Sequence, residues 1–276
     1  MKAQLNLETT FFFCIFFCSL FQTTAQRGIS ANFIDEFIIL DTTRLVVTYS
    51  LDMVVDAQNP GEIDNDIIVL EIGTRISKSY SYGLYKYDSI ASKAVDTYPT
   101  RREAVLPFDV FMNYPSGRNT VLHRTYFWGL VFLYEDEIPI HWEILPERKD
   151  ISGYSCQKAI TEFRGRRWEA WFTNQIPVSN GPWKFHGLPG IIMQVSDDQN
   201  HFSFICIGIS REKAPIKKWK WRYEKTTREN ANAYMKRCAD RVFNCMQKRG
   251  ITFVVPGASQ EETEKYSYHY NPIELK

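Results

Sequence analysis

Residues 151–173 read ISGYSCQKAITEFRGRRWEAWFT. Two runs rich in apolar, aromatic and β-branched residues, 151–163 and 166–173, flank Arg164-Gly165, where glycine can take the positive φ of a tight hairpin turn. In the second run Trp168, Ala170 and Phe172 alternate with Arg167, Glu169 and Trp171, so a strand there turns one trio to each face. Downstream, 191–195 and 202–209 flank the turn signal Asp197-Asp198-Gln199-Asn200. FSFICIGI at 202–209 is apolar at nearly every position, which predicts a central strand covered on both sides. Upstream, 37–40, 45–55 and 67–73 read as further strands around breaks such as Asn59-Pro60-Gly61, and 120–134 is extended up to Glu135-Asp136-Glu137. Residues 80–94 fit either a helix or an irregular segment.

One helix is expected at 227–249. Thr226 and Glu229 have the spacing of a capping box, and Gly250 stands where a C-terminal glycine belongs. Ala231, Met235, Cys238, Val242, Cys245 and Met246 recur at three- or four-residue spacing and form its packing stripe. The fold class is therefore mainly β (α+β): a curved antiparallel sheet or incomplete barrel with one long helix packed on it. Residues 26–276 read as a single β-rich domain.

The N-terminus carries an export signal. Lys2 precedes an apolar run of 11 residues at 11–21, too short for the roughly 20 residues of a membrane-spanning helix. Thr23, Thr24 and Ala25 supply small residues for cleavage before Gln26, so 1–25 is a signal peptide. Neither Cys14 nor Cys18 follows a lipobox, so the mature chain is expected to be periplasmic, cell-surface or secreted, and not lipid-anchored. No second apolar segment of spanning length follows.

The chain has 276 residues and a formal charge of +1, a balance that argues against nucleic-acid binding driven by bulk charge. Four of the six cysteines lie beyond the signal: Cys156, Cys206, Cys238 and Cys245. In a continuous helix Cys238 and Cys245 would stand about 10 Å apart, beyond bridging distance. With the strands in meander order, Cys156 and Cys206 would be about 14 Å apart, so they are expected as buried thiols or as bridges to the helix.

No G-x-S-x-G, H-E-x-x-H, Walker A, G-x-G-x-x-G or EF-hand pattern occurs, and the five histidines lack ligand-like spacing. Neither a metal nor a cofactor is expected. Glu135-Asp136-Glu137 with Glu143 reads as a solvated turn before it reads as an acid–base pair, and Asp197-Asp198-Asn200 has too few oxygens for calcium. Lys218–Tyr223 alternates basic and aromatic residues, as an edge strand or a cationic groove would. The most distinctive feature is Gly187-Leu188-Pro189-Gly190, in which two glycines permit a sharp turn and close backbone approach. Leu188 is expected at the tip of this turn. Gly187, Leu188, Pro189, Gly190, Trp168, Trp171 and Trp183 are the candidate rim and wall of a ligand or partner site.

These residues carry a resemblance. The segments 151–159, 163–166, 170–172, 176–177 and 181–192 (GPWKFHGLPGII) resemble, in order and spacing, the GLPGLI family of exported Bacteroidetes proteins. Leu70-Glu71-Ile72-Gly73 and the terminal YNPIEL also resemble it, and the name motif reads GLPGII here. The resemblance implies no established activity and no catalytic residues, but a context alongside TonB-dependent outer-membrane receptors. A looser similarity, to the open curved sheet of LolA-like lipoprotein carriers, implies enclosure of something apolar. Three functions follow as expectations: a module binding an apolar ligand, lipid or peptide; an accessory protein docking on an outer-membrane receptor; and a hydrolase with an unrecognised site.

Overall fold

The computed structural model describes residues 31–93, 104–125, 130–248, 259, 267 and 269–276. The expected signal peptide at 1–25, its cleavage before Gln26, and Gly250 lie outside the described residues. The chain lays down β1 (Phe37–Thr42), β2 (Leu45–Val54), β3 (Ile63–Ile72) and β4 (Ser77–Ser81), then helix α1 (Tyr82–Ala91). β5 (Phe108–Met112), β6 (Thr120–Arg124) and β7 (Val131–Glu135) follow. Next come β8 (Glu143–Ile151), β9 (Tyr154–Phe163), β10 (Arg166–Thr173), β11 (Ile191–Asp197) and β12 (Phe202–Ser210). β13 (Pro215–Trp219) and β14 (Tyr223–Lys225) lead into helices α2 (Arg228–Asp240) and α3 (Val242–Gln247).

Twelve strands form one open sheet in the order β14-β7-β6-β5-β4-β3-β2-β12-β11-β10-β9-β8, while β1 and β13 pair as a separate ribbon. Every pairing is antiparallel except β14 with β7. The sheet is two meanders joined where β12 lies against β2, with Phe204 opposite Leu51 and Cys206 opposite Tyr49. Those four side chains are buried, and the shared apolar face explains why the two halves meet there.

The inner face packs Val47, Tyr49, Leu51, Ile68, Leu70, Trp168, Ala170, Val195 and Phe204. What fills the concavity is the chain's own connection between β10 and β11. Phe185 from that connection meets the Trp168 ring edge to face at 4.7 Å, and Trp183 stands 5.2 Å from Phe185. On the opposite face, α1 and the β1–β13 ribbon cover one half of the sheet. Asp88 of α1 pairs with Arg124 at 2.7 Å, and buried Lys78 donates to the Lys217 carbonyl of the ribbon.

Several expectations need correction. A second tight turn at Ser152-Gly153, both at positive φ, separates β8 from β9, so 151–163 is not one strand. β12 is central but covered on one face only: Ile205 and Ile207 are exposed because nothing among the described residues packs over them. The ladder of Lys218–Tyr223 is interrupted, since β13 ends at Trp219 and β14 begins at Tyr223. Thr227, not Thr226, caps α2, its hydroxyl accepting from the Asn230 amide. The long helix is also broken. Arg241 leaves helical geometry with φ −145° and ψ 69°, and the chain restarts as α3. That break draws the Cα atoms of Cys238 and Cys245 to 5.4 Å, and the two form a disulfide. Cys156 and Cys206 are free and buried, three strands apart, as their meander order predicts. Burial pushes the Cys156 thiol up to about 11, which keeps it protonated and unreactive.

Candidate functional site

The β9–β10 hairpin holds the last residues of the chain. Its turn has Arg164 and Gly165 at positive φ, and the Arg164 carbonyl and the Arg166 side chain meet segment 269–276. Buried Arg166 donates to Asp197 at 2.9 Å, to the Asn271 side chain at 2.6 Å and to the carbonyls of Pro272 and Ile273 at 2.7 and 3.2 Å. Asn271 in turn donates to the Val54 carbonyl, and the Leu275 amide donates to the Arg164 carbonyl.

Beside this clamp lies a buried ionic bridge. Lys184, wholly inaccessible, donates to Asp136 at 2.6 Å and to Glu274. Arg164 also pairs with Asp136, at 2.7 Å, while Arg228 and Asn232 of α2 reach the second oxygen of Glu274, each at 3.3 Å. Burial raises the Glu274 carboxyl, but Lys184 and the hydrogen bonds outweigh it and hold the group below the usual carboxylate range. His123, its ring tilted against Phe108 with the centroids 4.2 Å apart, is buried, and desolvation lowers it to about 3, so it is neutral near pH 7.

The bridge separates two concavities. On one side is a partly open pocket of about 80 Å³. Its apolar lining includes Met53 and Val54 of β2, Leu106, Phe202, Met235 of α2 and Ile273, and its polar groups include Glu274, Asn232, Asn271, His123 and His269. On the other side is a cleft of about 750 Å³ bordered by Tyr134, Asp136, Arg164, Lys225, Thr227 and Arg228. Its charged groups are largely matched in ion pairs, which suits holding an arrangement in place better than proton transfer. Among the described residues, no group of three or more His, Cys, Asp or Glu side chains is placed to hold a metal ion. None of the described helices is long and apolar enough to cross a membrane.

The residues singled out from sequence are not brought together at a rim. Trp168 and Trp183 are core residues at 0% and 1% exposure. Trp171 faces the other way, with the Lys149 ammonium 4.2 Å from its ring centre. Leu188 is 1% exposed and is not presented at a tip. Gly187, at φ +97°, turns the chain inward there, and Gly190 lies so close to Thr173 that an added Cβ would fall 2.1 Å from its carbonyl oxygen. Gly187 and Pro189 remain at the surface. The Glu135–Glu137 turn is only partly solvated, because Asp136 is buried by its cations. Sequence reading missed Lys184, Asp136, Glu274, Arg166 and His123. The available signal was a lone lysine between Trp183 and Phe185, since a charge in an aromatic run must find partners if the run is buried.

Residues 164–194 match the family described as "Protein of unknown function (Porph_ging)", a Bacteroidetes-type family. That short stretch runs from the β9–β10 turn through Gly187–Gly190 into β11, the part that fills the concavity and supplies Arg164, Arg166 and Lys184. No curated protein matches the chain. Two solved structures of PNGF-II, in space groups P21 and C2, are similar at TM-scores of 0.48 and 0.49 with 12% and 13% identity. Each similarity takes in 72% of this chain and 34% of that one, so the chain spans about a third of the PNGF-II length. The resemblance to LolA-like carriers gains no support from these matches.

Proposed function

We propose that the chain is an exported, non-catalytic binding module that engages a polypeptide partner by taking one compact, branched apolar side chain into the pocket beside Glu274. The observation that supports this reading is the pocket's size against its lining. About 80 Å³ is far below the roughly 300–1,000 Å³ of pockets that enclose drug-sized ligands, and about half of the ~150 Å³ cavity that admits benzene. A lipid chain exceeds this pocket, and the concave face of the sheet is packed with Trp168, Trp183 and Phe185. An isobutyl or sec-butyl group does fit. The resemblance to the GLPGLI family makes an outer-membrane receptor the partner class to try first.

Met53 and Met235 both line the pocket and serve as reporters. In full-length protein carrying 13C-labelled methionine methyls, titration with isobutanol should shift these two resonances and leave Met193, buried elsewhere in the core, unmoved. Val54→Phe should fill the pocket and abolish the shifts. Shifts that persist in Val54→Phe, or no saturable shift in the wild type, would overturn the reading. Native mass spectrometry of protein taken from its own periplasm decides the carrier alternative, since a stoichiometric acyl lipid would restore it.

A further inference from the structure

We infer that residues 269–276 occupy a peptide-binding groove as an internal strap, and that the groove accepts peptide segments in which a branched apolar residue is followed by a carboxylate. The inference rests on the reading of the pocket above, because the segment that walls that pocket is the one that would lift out of the groove. Segment 269–276 belongs to no strand or helix, so the sheet is hydrogen-bonded without it. It nevertheless supplies a wall of the pocket from His269 to Glu274.

Its attachment is mostly polar. Ile273 is its one buried apolar side chain, at 3% exposure, whereas Leu275 is 54% exposed. Its polar contacts include Arg166 to Asn271 and two carbonyls, Asn271 to the Val54 carbonyl, Lys184, Arg228 and Asn232 to Glu274, Arg228 to the Lys276 carbonyl, His269 with Asp56, and the Arg164 carbonyl to the Leu275 amide. Such contacts exchange for water when the segment lifts away, and Ile273 is the one fully buried apolar side chain that leaves with it, so release is a local opening and not global unfolding. The same contacts describe the groove chemically. Arg166 offers donors to two successive backbone carbonyls, and Lys184 and Arg228 offer cations for a carboxylate one residue after the apolar anchor. Ile273 followed by Glu274 fills both requirements, and a partner segment of that pattern would compete for the same places.

Hydrogen exchange on the full chain tests the strap, with Glu274→Gln weakening its ionic attachment. The Leu275 amide, held by the Arg164 carbonyl, should lose at least about tenfold in protection, while the amides of β9–β12 keep theirs. A fluorescent peptide HYNPIELK added in trans should bind Glu274→Gln more tightly than wild type, and its Glu→Gln form should bind neither. Should Glu274→Gln fail to fold, Asn271→Ala removes the links to Arg166 and Val54 instead and carries the same expectations. Loss of protection in the strap and in β9–β12 together would overturn the inference, as would a released strap that leaves peptide binding unchanged. The isobutanol titration separates the two readings. Methionine shifts in wild type with no peptide binding would sink the groove and keep the pocket, whereas peptide binding without those shifts would do the reverse.

Discussion

Lys184 and Glu274 meet across ninety residues of chain, with neither side chain more than 2% exposed. Lys184 sits in the connection that fills the sheet and Glu274 in the segment that closes it, so the pair ties the plug to the strap. Asp136, on the far side of the same ammonium, ties both to the end of β7.

Removing the cation should therefore be severe. Lys184→Met leaves two carboxylates buried beside one fewer charge, and urea denaturation should show a loss of about 3–5 kcal/mol. Adding Asp136→Asn and Glu274→Gln to the same chain should recover part of that loss, because the uncompensated charges disappear. A single variant as stable as wild type would mean that the bridge is open to water.

Leu188→Asp tests the plug. With the side chain in the core, this change should lower the melting temperature sharply, and Leu188→Ala should cost roughly 2–5 kcal/mol. A near-neutral Leu188→Asp would return the residue to the surface and reopen its role at a rim.

Peptide mapping of the oxidised protein should recover Cys238 joined to Cys245, with Cys156 and Cys206 alkylated only after unfolding. Replacing both Cys238 and Cys245 by alanine should cost about 2 kcal/mol, given the short loop they close. A bridge between Cys156 and Cys206 would contradict the strand order.

Acid should act through His123 before it acts through the carboxylates. Burial lowers its folded pKa to about 3, while the unfolded chain takes up a proton near the ordinary value of 6.5. Below 6.5 the unfolded state binds more protons, so stability falls as pH drops toward 3, by up to about 1.4 kcal/mol per pH unit from this group. Glu274 adds to the loss at lower pH, since a depressed carboxyl stabilises above its unfolded pKa and ceases to as pH falls through its folded one. Urea midpoints from pH 7 to 4 should flatten in His123→Leu, and an unchanged slope would place the imidazole in contact with water.

Export predicts a secreted form that begins at Gln26. Intact mass measurement checks this, and a product retaining residues 1–25 would remove both the cleavage site and the localisation.

What the sequence determined by itself was local. Period-2 alternation at Trp168, Ala170 and Phe172, and the turn chemistry of Arg164-Gly165, specify strands and hairpins because they depend on neighbours two or three residues away. The N-terminal apolar run and the absence of catalytic motifs were legible for the same reason. The tertiary structure decided the rest. A break in the helix at Arg241 turns a forbidden cysteine pair into a disulfide, which a stripe of apolar residues cannot reveal. Leu188 points inward because Gly190 can approach the Thr173 backbone, a contact between two elements. The pocket and the ionic bridge assemble side chains from β2, β6, the β10–β11 connection, α2 and the last residues of the chain. Charge pairing and desolvation act through space, so Lys184 finds Asp136 and Glu274 only when the sheet has brought them together.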